Sequence, residues 1–108
     1  MITLQQIQDA HKKILPYVSY TPLINSNFLS KSNTVKLKLE NFQITGSFKL
    51  RGAVNKLLSL SEDDKNKGVI AVSTGNHGKG VAYASKVLGI QSTIYTVSYT
   101  HLTLPTKA

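Results

Sequence analysis

Two stretches of the chain hold residues whose types and spacing could do chemistry. The first is TGSFKLRGAV, Thr45 to Val54, in which Lys49 falls in the first turn of an otherwise apolar helical pattern. A helix begins with unpaired N–H groups and the positive end of the peptide dipole, so an ammonium is poorly placed there. Between Phe48 and Leu50 the amine is also expected to lose hydration, which favours its neutral form. A neutral amine is a nucleophile, suited to forming a Schiff base with a carbonyl compound. A surface lysine whose stem lies along apolar neighbours while its head reaches water fits the same spacing equally well. The second stretch is STGNHGKG, Ser73 to Gly80. It joins an apolar run to a helical pattern, so its backbone N–H groups converge at one place and form a site for an anion. Neither G-x-G-x-x-G nor G-x-x-x-x-G-K-[ST] occurs in it, which removes support for a nucleotide. On spacing alone Asn76 reads equally as a helix cap and His77 as an ordinary first-turn residue.

The elements that must position these residues follow from periodicity. Thr3 and Gln6 form a capping box, and Leu4, Ile7, His11 and Ile14 recur at helical spacing up to Pro16, which predicts a helix over residues 3 to 15. His11 lies on the apolar stripe and reads as a packed core residue. Residues 17 to 34 read as a loop, and VKLKLE, Val35 to Glu40, as a strand with one wet face. Phe48, Ala53, Val54, Leu57, Leu58 and Leu60 predict a helix with a wide buried face, ended by a turn at SEDDKNKG. VIAVS, Val69 to Ser73, reads as a strand buried on both faces. Val81, Ala84 and Leu88 share a helical face that Gly89 closes, and STIYTV supplies another strand. Strand, turn, helix and strand in that order make a βαβ unit with parallel strands.

Composition sets outer limits. The 108 residues suit one small domain, with 41% hydrophobic content and no cysteine for a disulfide or a thiolate metal site. Thirteen Lys and Arg against five Asp and Glu give a net charge of +8, but the basic residues are dispersed without interleaved aromatics. That pattern argues against a nucleic-acid partner and for an anionic small ligand. No apolar run reaches the roughly 20 residues of a membrane span, and the N-terminus lacks a signal-peptide pattern. The expected location is cytoplasmic, with no metal and no membrane partner.

KLENFQITGSFKLRGA followed by AVSTGNHGKGVAYAS resembles the fold-type II pyridoxal-phosphate enzymes, specifically the threonine/serine dehydratase and serine racemase group. The resemblance runs from the first helix to about Tyr95, with both motifs in family order. It implies an α/β fold of the tryptophan synthase β-like kind, three-layered around a parallel sheet and here truncated. On this likeness residues 1–65 belong to the large cofactor domain and 66–95 to the first βαβ unit of the small domain. Residues 96–108 read as a non-native tail.

The resemblance also implies roles. Lys49 is the lysine that holds pyridoxal 5'-phosphate as a Schiff base and later takes the Cα proton, with Phe48 beside the pyridine ring. Ser73, Thr74, Gly75, Asn76 and His77 receive the substrate carboxylate, and Asn76 also reaches the ring hydroxyl. The implied reaction is β-elimination from L-threonine or L-serine, giving a 2-oxo acid and ammonia. At position 74 serine racemases of the group carry a serine that acts as acid or base on the opposite face, whereas typical threonine dehydratases carry alanine. Thr74 keeps the hydroxyl but adds a methyl that restricts its rotamers, so elimination is favoured over racemisation. Serine racemase, β-replacement and threonine synthase chemistry remain as alternatives, as does a non-catalytic anion-binding α/β module. The family's phosphate loop and the residue facing the pyridine nitrogen come later in the chain, so these 108 residues alone are expected to be inactive and the full-length protein a homo-oligomer.

Overall fold

A computed structural model of the chain describes residues 1–96. The first helix, α1 (Leu4–Ile14), is opened by the expected capping box: the Thr3 hydroxyl accepts from the Gln6 N–H at 3.2 Å, and the Gln6 side chain accepts from the Thr3 N–H at 2.9 Å. Only its last residue, Ile14, is buried, and a single 3-10 turn, Leu15–Tyr17, follows at Pro16. His11 does not pack in the core. It is exposed, with its Nδ1 3.2 Å from Arg51 Nη2, because α1 meets the rest of the molecule through its C-terminal end.

The stretch read as an unbroken loop contains a short strand, β1 (Leu23–Asn25), paired antiparallel with β2 (Lys36–Lys38). Leu23 faces Lys38 and Asn25 faces Lys36, and all residues of both strands are exposed. The alternation over residues 35 to 40 therefore marks a strand with no buried face among the described residues.

Helix α2 (Lys49–Ser59) begins at the lysine itself and buries Leu50, Ala53, Val54 and Leu57, one face of a 3.6-residue period. The charged block after it is a helix, not a turn. In α3 (Glu62–Lys67) the Ser61 hydroxyl caps the Asp64 N–H at 3.1 Å, three acids fill the first turn, and two lysines fill the last, as the peptide dipole favours. Gly68, at φ +84, ends α3 in a conformation that side chains rarely adopt.

Strand β3 (Val69–Val72), helix α4 (Asn76–Leu88) and strand β4 (Ser92–Tyr95) form the expected parallel βαβ unit, in register from Val69 opposite Ser92 to Val72 opposite Tyr95. Gly89 takes the left-handed C-cap at φ +69, which returns the chain toward β4. Val69 and Ala71 pack against the core, but Ile70 is 70% and Val72 81% exposed. Strand β3 is thus covered on one face only, because the helices of the described residues lie on that side.

One core joins these pieces. Ile14, Leu50, Ala53, Val54 and Leu57 meet Val81, Ala84 and Ile90, so residues on both sides of position 65 share it, chiefly through α2 against α4. The tail read as non-native lies, except for Thr96, outside the described residues. No helix among the described residues is long and apolar enough to cross a membrane.

Candidate active site

The turn leading to Lys49 is shaped by its own residues. Gly46 stands at φ +82, where a side chain would be strained, and its N–H donates to Gln43 O at 2.8 Å. The Ser47 hydroxyl then accepts from the Lys49 N–H at 3.3 Å, satisfying one of the unpaired donors of the helix start. The glycine and serine ahead of the lysine therefore form the corner that leads into α2, whose N-cap residue is Phe48. Lys49 is exposed rather than dehydrated, and so is Phe48; the Lys49 ammonium lies 5.7 Å from the Phe48 ring centroid.

Behind this turn a polar cluster anchors the approach. The Glu40 carboxylate accepts from the Thr21 hydroxyl and from Gln43 Nε2, and lies 3.7 Å from Arg51 Nε in the first turn of α2. Gln43 also bonds both backbone groups of Ser19, at 2.9 Å each. Burial pushes the Glu40 carboxyl up, but the hydrogen bonds from Thr21 and Gln43 and the charges of Arg51 and Lys38 outweigh it and hold it below its usual value of 4.5. Thr21 and Gln43 are themselves buried, so the cluster ties residues 19–21, 40–43 and 51 into one unit.

The second stretch turns from β3 into α4. The Ser73 N–H donates to Tyr95 O at 3.0 Å, continuing the β3–β4 ladder, and the Ser73 hydroxyl accepts from the N–H groups of Gly75 at 3.2 Å and Gly78 at 2.9 Å. Ser73 thus commits its polar groups to building the loop. The N–H groups of Thr74, Asn76 and His77 have no partner among the described residues, and all three residues are exposed. Unpartnered donors at the start of a helix suit an anion. Gly78 sits close to its neighbours: a Cβ there would stand 3.1 Å from Ile94 Cγ2 and 3.3 Å from the Ser73 hydroxyl, so those side chains would have to give by a few tenths of an ångström.

The two stretches share a cavity of about 490 Å³, into which Phe48, Lys49 and His77 open over a floor including Leu57, Ala71 and Val81. Ser73 and Thr74 line two shallower depressions of about 350 and 300 Å³, the smaller of which Gly75 also lines. Asn76 stands between, at the first position of α4. The structure thus joins Lys49, Phe48 and His77 and leaves the remaining loop residues on an adjoining surface. A larger cavity of about 670 Å³ lies elsewhere, between α1 and α2. The anchoring residues Glu40, Thr21, Gln43 and Arg51 do not stand out in the sequence. Apart from the Glu40–Gln43 bond, their partners lie 11 to 24 positions apart, as Glu40 to Arg51 and Ser19 to Gln43 show, and no local pattern signals that pairing.

These residues fit one part of pyridoxal 5'-phosphate: an amine for its aldehyde, and an aromatic edge and an apolar floor for its ring. The comparisons with known proteins agree. The family model described as pyridoxal-phosphate dependent enzyme matches residues 14–107. The chain is 52% identical over 97 residues to the catabolic L-threonine dehydratase of Staphylococcus aureus (strain USA300), covering 87% of this chain and 28% of that protein. Among solved structures, the T.th. threonine deaminase superposes with a TM-score of 0.76 at 43% identity, covering 88% of this chain and 30% of the other. The serine racemase of Dictyostelium discoideum does so with a TM-score of 0.81 at 40% identity, covering 88% and 32%. The chain therefore spans under a third of the length of the relatives it matches. The described fold is a part of the fold-type II architecture, and the chain belongs to the pyridoxal-phosphate-dependent enzymes, in the group of threonine dehydratases and serine racemases.

Proposed function

We propose that the whole protein is a pyridoxal-phosphate-dependent ammonia-lyase that converts L-threonine or L-serine into a 2-oxo acid and ammonia. The observation that carries this reading is one amine, Lys49, opening into the same cavity as His77 in the first turn of α4, while the unpartnered N–H donors of Thr74 and Asn76 lie on the adjoining loop and at the first position of α4. The resemblance to a threonine dehydratase and a threonine deaminase supports the choice of substrate class. When bound, the cofactor supplies a sink for the electron pair left as the substrate's Cα–H bond breaks.

The chain's own residues do the rest. Lys49 would hold the cofactor through its amine, and its Nζ, when free, would take the Cα proton. Phe48 forms a wall for the ring. The N–H groups of Thr74, Asn76 and His77, with the Asn76 side chain, grip the substrate carboxylate and so aim the Cα–H bond at Lys49; such donors need little rearrangement. Ser73 and Gly75 shape the loop that carries them. The same reading divides the whole protein into a large cofactor domain beginning with residues 1–65 and a small domain beginning with the βαβ unit at 66–95. It also takes the protein as a cytoplasmic homo-oligomer acting on small amino acids.

Thr74 and the likeness to a serine racemase favour a second reading, in which the Thr74 hydroxyl exchanges a proton on the face opposite Lys49. Incubating the whole protein with L-threonine and L-serine and analysing the products separates the two: 2-oxo acid and ammonia support elimination, and D-serine supports racemisation. Lys49→Ala should abolish both activities and the visible absorbance of bound pyridoxal 5'-phosphate. A mutant that keeps that absorbance overturns the assignment of Lys49.

A further inference from the structure

We infer that Gly80 is a positioning residue for Lys49: the absence of a side chain there sets how closely α4 approaches the amine-bearing turn of α2. The inference rests on the function proposed above and concerns how its two halves are held in register. A Cβ built on Gly80 would stand 3.2 Å from each of three backbone atoms, the Lys49 carbonyl carbon, the Lys49 oxygen and the Leu50 nitrogen. Backbone atoms cannot swing aside as a side-chain tip can. Leu50, Val54, Val81 and Ala84 close around the contact at 7% exposure or less, so the surrounding core leaves little freedom for one helix to shift alone.

The consequence runs in both directions along α4. Gly80 lies one turn after Asn76, on the same side of the helix, so a displacement at position 80 is carried to the donors at Asn76 and His77. The bonds from Gly75 and Gly78 to the Ser73 hydroxyl fasten the loop to that helix start, so the loop moves with it. Gly80 is not required by its backbone, because the glycines at positive φ are Gly46, Gly68 and Gly89. In a helix interior glycine is inferior to alanine, so what favours it at this position is the contact with Lys49 and Leu50. Gly78 differs in kind. Its nearest atoms belong to the side chains of Ile94 and Ser73, which can yield.

The test uses the whole protein reconstituted with pyridoxal 5'-phosphate, comparing Gly80→Ala with Gly78→Ala and with Ile90→Val, which thins the same core away from Lys49. Four readouts are taken: thermal midpoint, rate of borohydride-trapped adduct formation at Lys49 by mass spectrometry, absorbance maximum of the bound cofactor, and kcat against KM for L-threonine. A shift of a few tenths of an ångström in a near-attack geometry predicts a loss of about tenfold in trapping rate and kcat for Gly80→Ala, with a smaller rise in KM and the absorbance maximum displaced. Ile90→Val should lower the thermal midpoint and leave the trapping rate and absorbance alone, and Gly78→Ala should raise KM rather than slow trapping. Gly80→Ala with a wild-type trapping rate, or with a lowered midpoint as its only change, overturns the inference. So does a Gly80→Ala protein that fails to fold while Gly78→Ala folds, because position 80 then holds the core rather than tuning the amine. Adduct retained in Lys49→Ala overturns the proposed function itself, independently of Gly80.

Discussion

Helix α2 is held in two different ways on its two sides. Toward α4 the contact is dry and close: Leu50, Val54 and Leu57 are at most 3% exposed, and Gly80 brings backbone against backbone. Toward α1 the helices diverge around a cavity of about 670 Å³ lined by Ile7, His11, Arg51 and Asn55. That side is bridged by exposed polar contacts, Lys13 Nζ to the Ser59 hydroxyl at 2.9 Å and the His11–Arg51 approach. Exposed polar bridges contribute little, since water competes for the same groups. The orientation of Lys49 therefore depends on the α4 side and on the Glu40 cluster behind it, with α1 contributing mainly Ile14.

The sharpest way to break this comparison is to remove equal side chains from the two sides. Leu50→Ala deletes a side chain with no exposed surface, and the lost burial plus the cavity left behind destabilises by about 3 to 5 kcal/mol. Ile7→Ala removes a side chain that is 57% exposed on the α1 cavity, and a loss of about 0.5 kcal/mol or less is expected. Urea unfolding of the two variants in the whole protein reads the difference directly. Equal shifts in midpoint would show that α1 grips α2 as firmly as α4 does.

The same division explains what can be read from sequence. Local devices are legible: the Thr3–Gln6 box, the glycine cap at Gly89, the 3.6-residue spacing of Leu50, Val54 and Leu57, and the βαβ order each depend on residues a few positions apart. The βαβ order makes an α/β fold legible, and the cofactor family is legible through the resemblance that the two motifs carry, not through their spacing alone. His11 misleads because periodicity marks a helix face without saying how far along the helix the core extends, and here it reaches only Ile14. SEDDKNKG misleads when its charges are weighed as solvated turn residues, although a serine cap, leading acids and trailing lysines are a helix signature. Val72 looks buried from composition, but burial of a strand's second face depends on partners that the described residues do not include. The Glu40 cluster is invisible because its links from Thr21 and Arg51 to Glu40, and from Gln43 to Ser19, join residues far apart in sequence.

That cluster sharpens the comparison at intermediate size. Glu40→Gln keeps the shape but removes the charge that Arg51 and Lys38 face, and charge-assisted hydrogen bonds support a loss of about 1 to 2 kcal/mol at neutral pH. The pH dependence has a definite sign. The folded-state value of Glu40 lies below its ordinary 4.5, so its contribution is fully present above 4.5 and disappears as pH falls through the lowered value. Urea midpoints of wild type and Glu40→Gln should therefore differ at pH 7 and converge below 4.5. A difference that persists unchanged well below the lowered value would mean that the carboxylate's charge contributes nothing.

The smallest effect is expected at Ser85, and it runs in the opposite direction. Ser85 is 1% exposed on α4, and its hydroxyl has no hydrogen-bond partner among the described residues. A buried hydroxyl left unpaired carries its desolvation penalty without return, so Ser85→Ala, which also raises helix propensity, should stabilise by up to about 1 kcal/mol. Thermal denaturation of the variant checks this, read beside Leu50→Ala. Stabilisation at Ser85 would show that the α4 side tolerates loss of a polar atom where it cannot tolerate loss of volume, which is the behaviour of a contact governed by packing. Destabilisation would mean that the hydroxyl has a partner in the whole protein, and that polar groups share in holding α4 against Lys49.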